Sequence, residues 1–173
     1  MKTDQLLATA ITAARRAGDV HRTYFNTALT IETKEYSYDR VTKADVEAER
    51  VIEATIRDAF PDHNILGEEA DYATTASPYT WIVDPLDGTN NFSHGMPIFC
   101  ASIGICKNGE PIVGVIYDTM HDALYTAVRG DGAYCNGERL SVAPDERLTQ
   151  SLLITGFYYD RGLRMEQNLE KIK

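Results

Sequence analysis

The chain has 173 residues, 43% of them hydrophobic and 25% charged, enough for one ordinary soluble domain with a buried core. Its formal net charge of −9 argues against nucleic acid as the main partner, because a phosphate backbone is gripped by clustered Lys and Arg. No apolar run approaches membrane length. The start, MKTDQLLATAITAARRAG, carries Asp4 and a double Arg too early for a signal peptide. Cys100, Cys106 and Cys135 are odd in number and fit no CxxC pattern, so they read as core or hairpin thiols of a cytoplasmic protein.

In chain order, Leu6, Ala10, Ala13, Ala14, Ala17, Val20 and Tyr24 recur at helical steps and predict a first helix with one buried face. ALTIETKEY (28–36) alternates weakly, as a short strand pair would. VTKADVEAERVIEATIRDAFP (41–61) predicts a second amphipathic helix, striped by Val51, Ile52, Thr55, Ile56, Ala59 and Phe60 and ended by Pro61. Thr42 with Asp45 three residues on resembles a capping box with Asp in place of Glu. Beyond Pro61 the period falls to two. NILGEE, TWIVD, IFCASIGICKNG, EPIVGVIYD, ALYTAVRG and SLLIT read as strands, several separated by Gly-containing turns. Strands in succession after two helices predict an α+β sandwich, with the helices layered on a mostly antiparallel sheet. A further helix begins at GLRMEQNLEKIK, and no internal repeat or low-complexity linker interrupts the chain.

The stretch WIVDPLDGTNNF (81–92) stands out. Asp84 and Asp87 leave a buried strand, with Pro85 stiffening the turn and Gly88 freeing the backbone. Carboxylate and carbonyl oxygens so close together suit a hard cation such as Mg²⁺, and the backbone N–H groups behind them suit a phosphate. Taken alone, DPLDGT fits equally well a plainer reading, in which Asp84 caps a turn and Asp87 caps a helix. The acids fall first and fourth, which fits neither an EF-hand loop nor a haloacid-dehalogenase nucleophile, whose aspartates are two apart. ILGEEA (65–70) brings further carboxylates to a strand edge, although Glu pairs are usually solvated surface. Asp45 is by itself an ordinary dipole partner at a helix start. The scattered His21, His63, His94 and His121 include no HExxH, and neither GxSxG nor GxxxxGK[ST] is present. His94 reads as a loop histidine. Cys100 and Cys106 have even spacing on one strand, which predicts that both pack in the core.

In order, VTKAD (41–45), ILGEE (65–69), WIVDPLDGTNNF (81–92), GVIYD and GDGAYCNGERL (130–140) resemble the inositol monophosphatase family of magnesium-dependent, lithium-sensitive phosphatases related to fructose bisphosphatase. The resemblance implies that Glu68, Asp84 and the Leu86 carbonyl bind one Mg²⁺ and that Asp84 and Asp87 contribute to a second. Gly88 and Thr89 would hold the phosphate through backbone N–H groups. Thr89 and Asp45 would orient and deprotonate the attacking water, with Glu68 counted among the catalytic residues. Lys34 would sit near the phosphate or a cation. Glu68, Leu86 and Asp87 would line the substrate site as well.

The activity so implied is hydrolysis of a small phosphate monoester, inositol 1-phosphate first, by a homodimer that uses neither nucleic acid nor membrane. A nucleotide 3'-phosphatase, a histidinol phosphatase, a fructose bisphosphatase and a catalytically weak regulatory protein are the alternatives. The resemblance also divides the chain into residues 1–146, an N-terminal α+β domain that binds metal and phosphate, and 147–173, the start of a C-terminal α/β domain whose remainder is absent. The family's later Trp-Asp motif finds no counterpart, since Trp81 is the one tryptophan. The 173 residues alone are therefore expected to hydrolyse substrate slowly.

Overall fold

The computed structural model describes residues 3–27, 31–33, 40–70, 72–142, 147–152 and 162–172. Helix α1 spans Thr3–Tyr24 and α2 spans Lys43–Ala59. A two-stranded antiparallel ribbon, β1 (Ile31–Thr33) and β2 (Arg40–Thr42), joins them. The second helix thus begins two residues later than its amphipathic pattern suggested, because Val41 and Thr42 pair as strand instead.

Seven strands form one sheet in chain order: β3 (Asn64–Leu66), β4 (Tyr79–Asp87), β5 (Cys100–Lys107), β6 (Glu110–Asp118), β7 (Ala123–Val128), β8 (Gly132–Cys135) and β9 (Glu138–Arg139). Only the β3–β4 pair is parallel, and the remaining neighbours are antiparallel. Short Asn-Gly connections at 108–109 and 136–137 account for two of the hairpins. A five-residue helix, α3 (Thr89–Ser93), follows β4, and α4 (Leu163–Ile172) lies near the end. The strand expected at SLLIT falls largely outside the described residues.

The core lies between the helices and one face of the sheet. Leu6, Ala10, Ala13, Ala14 and Ala17 of α1 and Ala48, Ile52 and Ile56 of α2 meet Trp81, Val83, Ala101, Ile103, Ile105, Val113, Val115 and Tyr117. Burying side chains of this size contributes about 1.5–3 kcal/mol for each large one. The small alanines let both helices lie close to the strands. No described helix is long and apolar enough to cross a membrane.

Candidate functional site

The segment quoted above is more strand than turn. β4 runs through Asp87, but its pairing with β5 shifts, from Asp84 opposite Ser102 to Asp87 opposite Cys100. One extra residue is therefore accommodated between the two aspartates, which makes this a bulge. Pro85 belongs there, because it has no N–H to give to a ladder.

An apolar patch holds the bulge from behind. Leu86 is buried with Ala44, Phe92 and Phe99, and Tyr24 and Phe25 pack alongside. His21 of α1 completes it. Its Nε2–H donates to the Pro85 carbonyl at 2.9 Å, and its Nδ1 accepts from the Thr119 hydroxyl at 2.9 Å. Burial pushes the His21 pKa down to about 4, so the ring is neutral near pH 7.

Around this scaffold the structure gathers most of the expected residues. Asp84 Oδ1 is the one buried side-chain oxygen or nitrogen without a hydrogen-bond partner among the described residues. Burial, then the charges of Glu68 and Asp87, then a hydrogen bond with Glu68, push the Asp84 pKa up to about 7. A carboxylate in that position is short of a positive neighbour. Among the described residues no three His, Cys, Asp or Glu side chains are drawn together tightly enough to enclose a cation by themselves. Like charges hold one another apart, so carbonyl oxygen and water would have to complete any shell.

Asp45 does not act as a mere dipole partner. It is 2% exposed, and its Oδ1 accepts the Thr89 hydroxyl at 2.9 Å. The same hydroxyl lies 3.0 Å from the Leu86 carbonyl, so one proton has two acceptors. Gly88 has φ +99°, and a Cβ there would stand 2.9 Å from the Ile98 carbonyl oxygen, so glycine is required on both counts. Lys34 lies outside the described residues.

One expectation changes. Cys100 is not a core residue: it sits on the face opposite Ala101 and Ile103, with its Sγ 3.9 Å from Asp87 Oδ2. The register shift between Ile105 and Cys106 is what lets Cys106 be buried while Cys100 is not. His94 caps the end of α3, its Nδ1 2.8 Å from the Asn90 carbonyl oxygen.

Two residues that hold the site had not been singled out for it. Glu49, buried on α2, accepts from the Glu68 and Glu69 backbone N–H groups. His21 holds Pro85, as described. Each carried a signal in spacing: Glu49 follows Asp45 by one helical turn, and His21 follows Ala17 by one turn on the buried face of α1.

Known proteins share this arrangement of segments. The family described as "Inositol monophosphatase family" matches residues 2–173. Inositol monophosphatase 1 of Sus scrofa is 39% identical over 150 residues, covering 84% of this chain and 54% of its own length. The structure of inositol monophosphatase from Anabaena (Nostoc) sp. PCC 7120 superposes with TM-score 0.79 at 41% identity, covering 93% of this chain and 58% of that one. A structure of an IMPase/NADP phosphatase complexed with Mg²⁺ and phosphate superposes with TM-score 0.70 at 31% identity, covering 82% of this chain and 53% of that one. The chain thus spans little more than half the length of the relatives it matches.

Proposed function

Because the chain belongs to the inositol monophosphatase family, we propose that it carries the metal- and phosphate-binding part of a Mg²⁺-dependent phosphomonoesterase, with inositol 1-phosphate as the leading substrate. The observation that carries this reading is the buried, unpartnered Asp84 Oδ1 beside two further carboxylates. The donor set fits a hard cation: carboxylate oxygens from Glu68, Asp84 and Asp87 and the backbone oxygen of Leu86. A neighbour solved with Mg²⁺ and phosphate supports the same choice. When bound, Mg²⁺ supplies charge neutralisation for the phosphate dianion and acidifies water.

The residues of this chain do the rest. Glu68 and Asp84 would hold one ion with the Leu86 carbonyl, and Asp84 with Asp87 would contribute to a second. The Gly88 and Thr89 backbone N–H groups are assigned to the phosphate oxygens. Thr89 Oγ1 would take the proton of the attacking water while passing its own to Asp45 Oδ1, along the 2.9 Å hydrogen bond already in place. Attack is in line, and no covalent enzyme intermediate is needed. The same reading gives a homodimer.

The test is release of inorganic phosphate from inositol 1-phosphate, with and without Mg²⁺, by this chain and by one lengthened to the span of its relatives. A nucleotide 3'-phosphate, histidinol phosphate and fructose bisphosphate serve as competing substrates. Mg²⁺-dependent turnover of inositol 1-phosphate above the others is expected in the longer chain. Absence of Mg²⁺-dependent release from all four would overturn the reading.

A further inference from the structure

Glu49 is a buried carboxylate with no cation on it among the described residues and three donors aimed at it. Its Oε2 accepts the Glu68 N–H at 3.0 Å and the Glu69 N–H at 2.8 Å, and its Oε1 accepts the Tyr72 hydroxyl at 2.9 Å. The residue is 3% exposed, while Glu68 itself is exposed. Burial, and then the Glu49 contact, hold the Tyr72 hydroxyl protonated well above its usual range, which keeps it a donor. Hydrogen bonds to a charged acceptor are the strong ones.

The loop before Glu68 is shaped around this carboxylate. A Cβ on Gly67 would stand 2.6 Å from Glu49 Oε1 and 2.8 Å from Tyr72 Cε2. The glycine of the Gly-Glu-Glu run is therefore set by close approach to Glu49. Asp45, one turn earlier on the same buried face of α2, holds Thr89. A single helix thus grips both arms of the site, one through each carboxylate.

We propose that Glu49 is a positioning residue: by fixing the backbone of Glu68 and Glu69 it sets the Glu68 carboxylate against Asp84 for cation binding. This rests on the metal reading above. Glu49 itself touches neither substrate nor the reacting atoms. A side chain that only stabilised the fold would affect melting alone. One that positions Glu68 must also change metal affinity, and outer-shell partners of ligands typically change it about 10–100-fold.

The experiment titrates Mn²⁺ and Mg²⁺ calorimetrically into the metal-free 173-residue chain and follows amide hydrogen exchange at Glu68 and Glu69. Glu49→Ala is expected to weaken Mn²⁺ binding about 10–100-fold and to speed exchange at both amides. Glu49→Gln keeps an oxygen for the N–H groups and an amide that the Tyr72 oxygen can accept from, and is expected to restore most of the affinity. Gly67→Ala approaches the same contact from the other side, leaving every carboxylate in place, and is expected to weaken binding as well. It keeps the test open should Glu49→Ala fail to fold. An unmutated chain that binds no metal would overturn the metal reading and this inference with it. Equal Mn²⁺ affinity in the unmutated, Glu49→Ala and Gly67→Ala chains would overturn the positioning role alone. So would equal losses in Glu49→Gln and Glu49→Ala, since charge would then be what the cation senses.

Discussion

Asp84 is where the site's electrostatics concentrate. Adding Mg²⁺ or Mn²⁺ should raise the melting temperature by linkage, and Asp84→Asn should abolish that gain while leaving a folded protein. The same substitution has a metal-free signature. The folded-state pKa is raised from 3.8 to about 7, so the stability tied to the protonated form is present below the lower value and lost as pH rises through the upper one. Scanning calorimetry should show the metal-free chain losing melting temperature relative to Asp84→Asn as pH rises across that window. An equal metal-induced gain in both proteins would count against the cation site. Thr89 and Asp45 make a second residue-scale test, best run in a chain of the relatives' length. Thr89→Ala and Asp45→Asn should each lower kcat about 10²–10⁴-fold, the double variant scarcely more, since residues acting as a unit are not additive. Metal binding should survive in all three. Multiplying losses would leave Asp45 a structural acid. Asp84 and Thr89 stood out in the sequence because DPLDGT is short and contiguous, whereas Asp45 by itself read as a helix-start acid. Glu49 did not stand out, because a lone Glu on an amphipathic helix reads as solvated surface until the fold brings backbone N–H groups to it.

At the scale of elements, hydrophobic periodicity located both amino-terminal helices and the strand succession, since burial of one face imposes it directly. The bulge inside β4 was not readable. Pro and Gly mark a break in regular pairing equally well whether the chain turns away or continues one residue out of step. The start of α2 was misread for a related reason: Val41 and Thr42 suit either state, and pairing with β1 decided it. β3 is tied to its neighbourhood by another buried histidine just before it. Trp81 Nε1–H donates to His63 Nδ1 at 2.9 Å, and His63 stacks between Phe60 and Tyr79. Burial lowers the His63 pKa, so above its ordinary value of 6.5 the neutral ring and its stability are intact. As pH falls below that value the unfolded chain takes up the proton more readily, and stability is lost until the depressed folded-state pKa is passed. Protonated Nδ1 would also face the Trp81 donor with a donor. Circular dichroism melts of the Asp84→Asn chain, free of the opposing titration of Asp84, are expected to decline from pH 7.5 to 5, and less so when His63→Gln is added, since Gln can accept from Trp81 without titrating. An unchanged decline would place acid sensitivity elsewhere, with His21 the next candidate.

Seen whole, α1 and α2 cover one face of the seven-stranded sheet. The other face carries the partly exposed Ile82, Ile116, Tyr125 and Leu140, and a hollow of about 390 Å³ lies across its middle strands. Gly104, Gly114, Ala127 and Ala133 face one another across four strands there, and their small side chains leave the hollow open. Apolar surface of this kind favours association, the observation that supports the homodimer proposed above. Light scattering at micromolar concentration is expected to give at least twice the 19.3 kDa chain mass, and a clean single-chain mass would refute it.

The long reach of the first helix has a consequence for how the protein is made. His21 joins Pro85 across 64 residues and Thr119 across 98, so although α1 can meet α2 early, its clamp on the bulge must wait until β4, β5 and β6 have left the ribosome. At synthesis rates of about 5–20 residues per second, that wait lasts several seconds. The histidine that clamps the bulge arrives early in the nascent chain and cannot make both its bonds until Thr119 has followed.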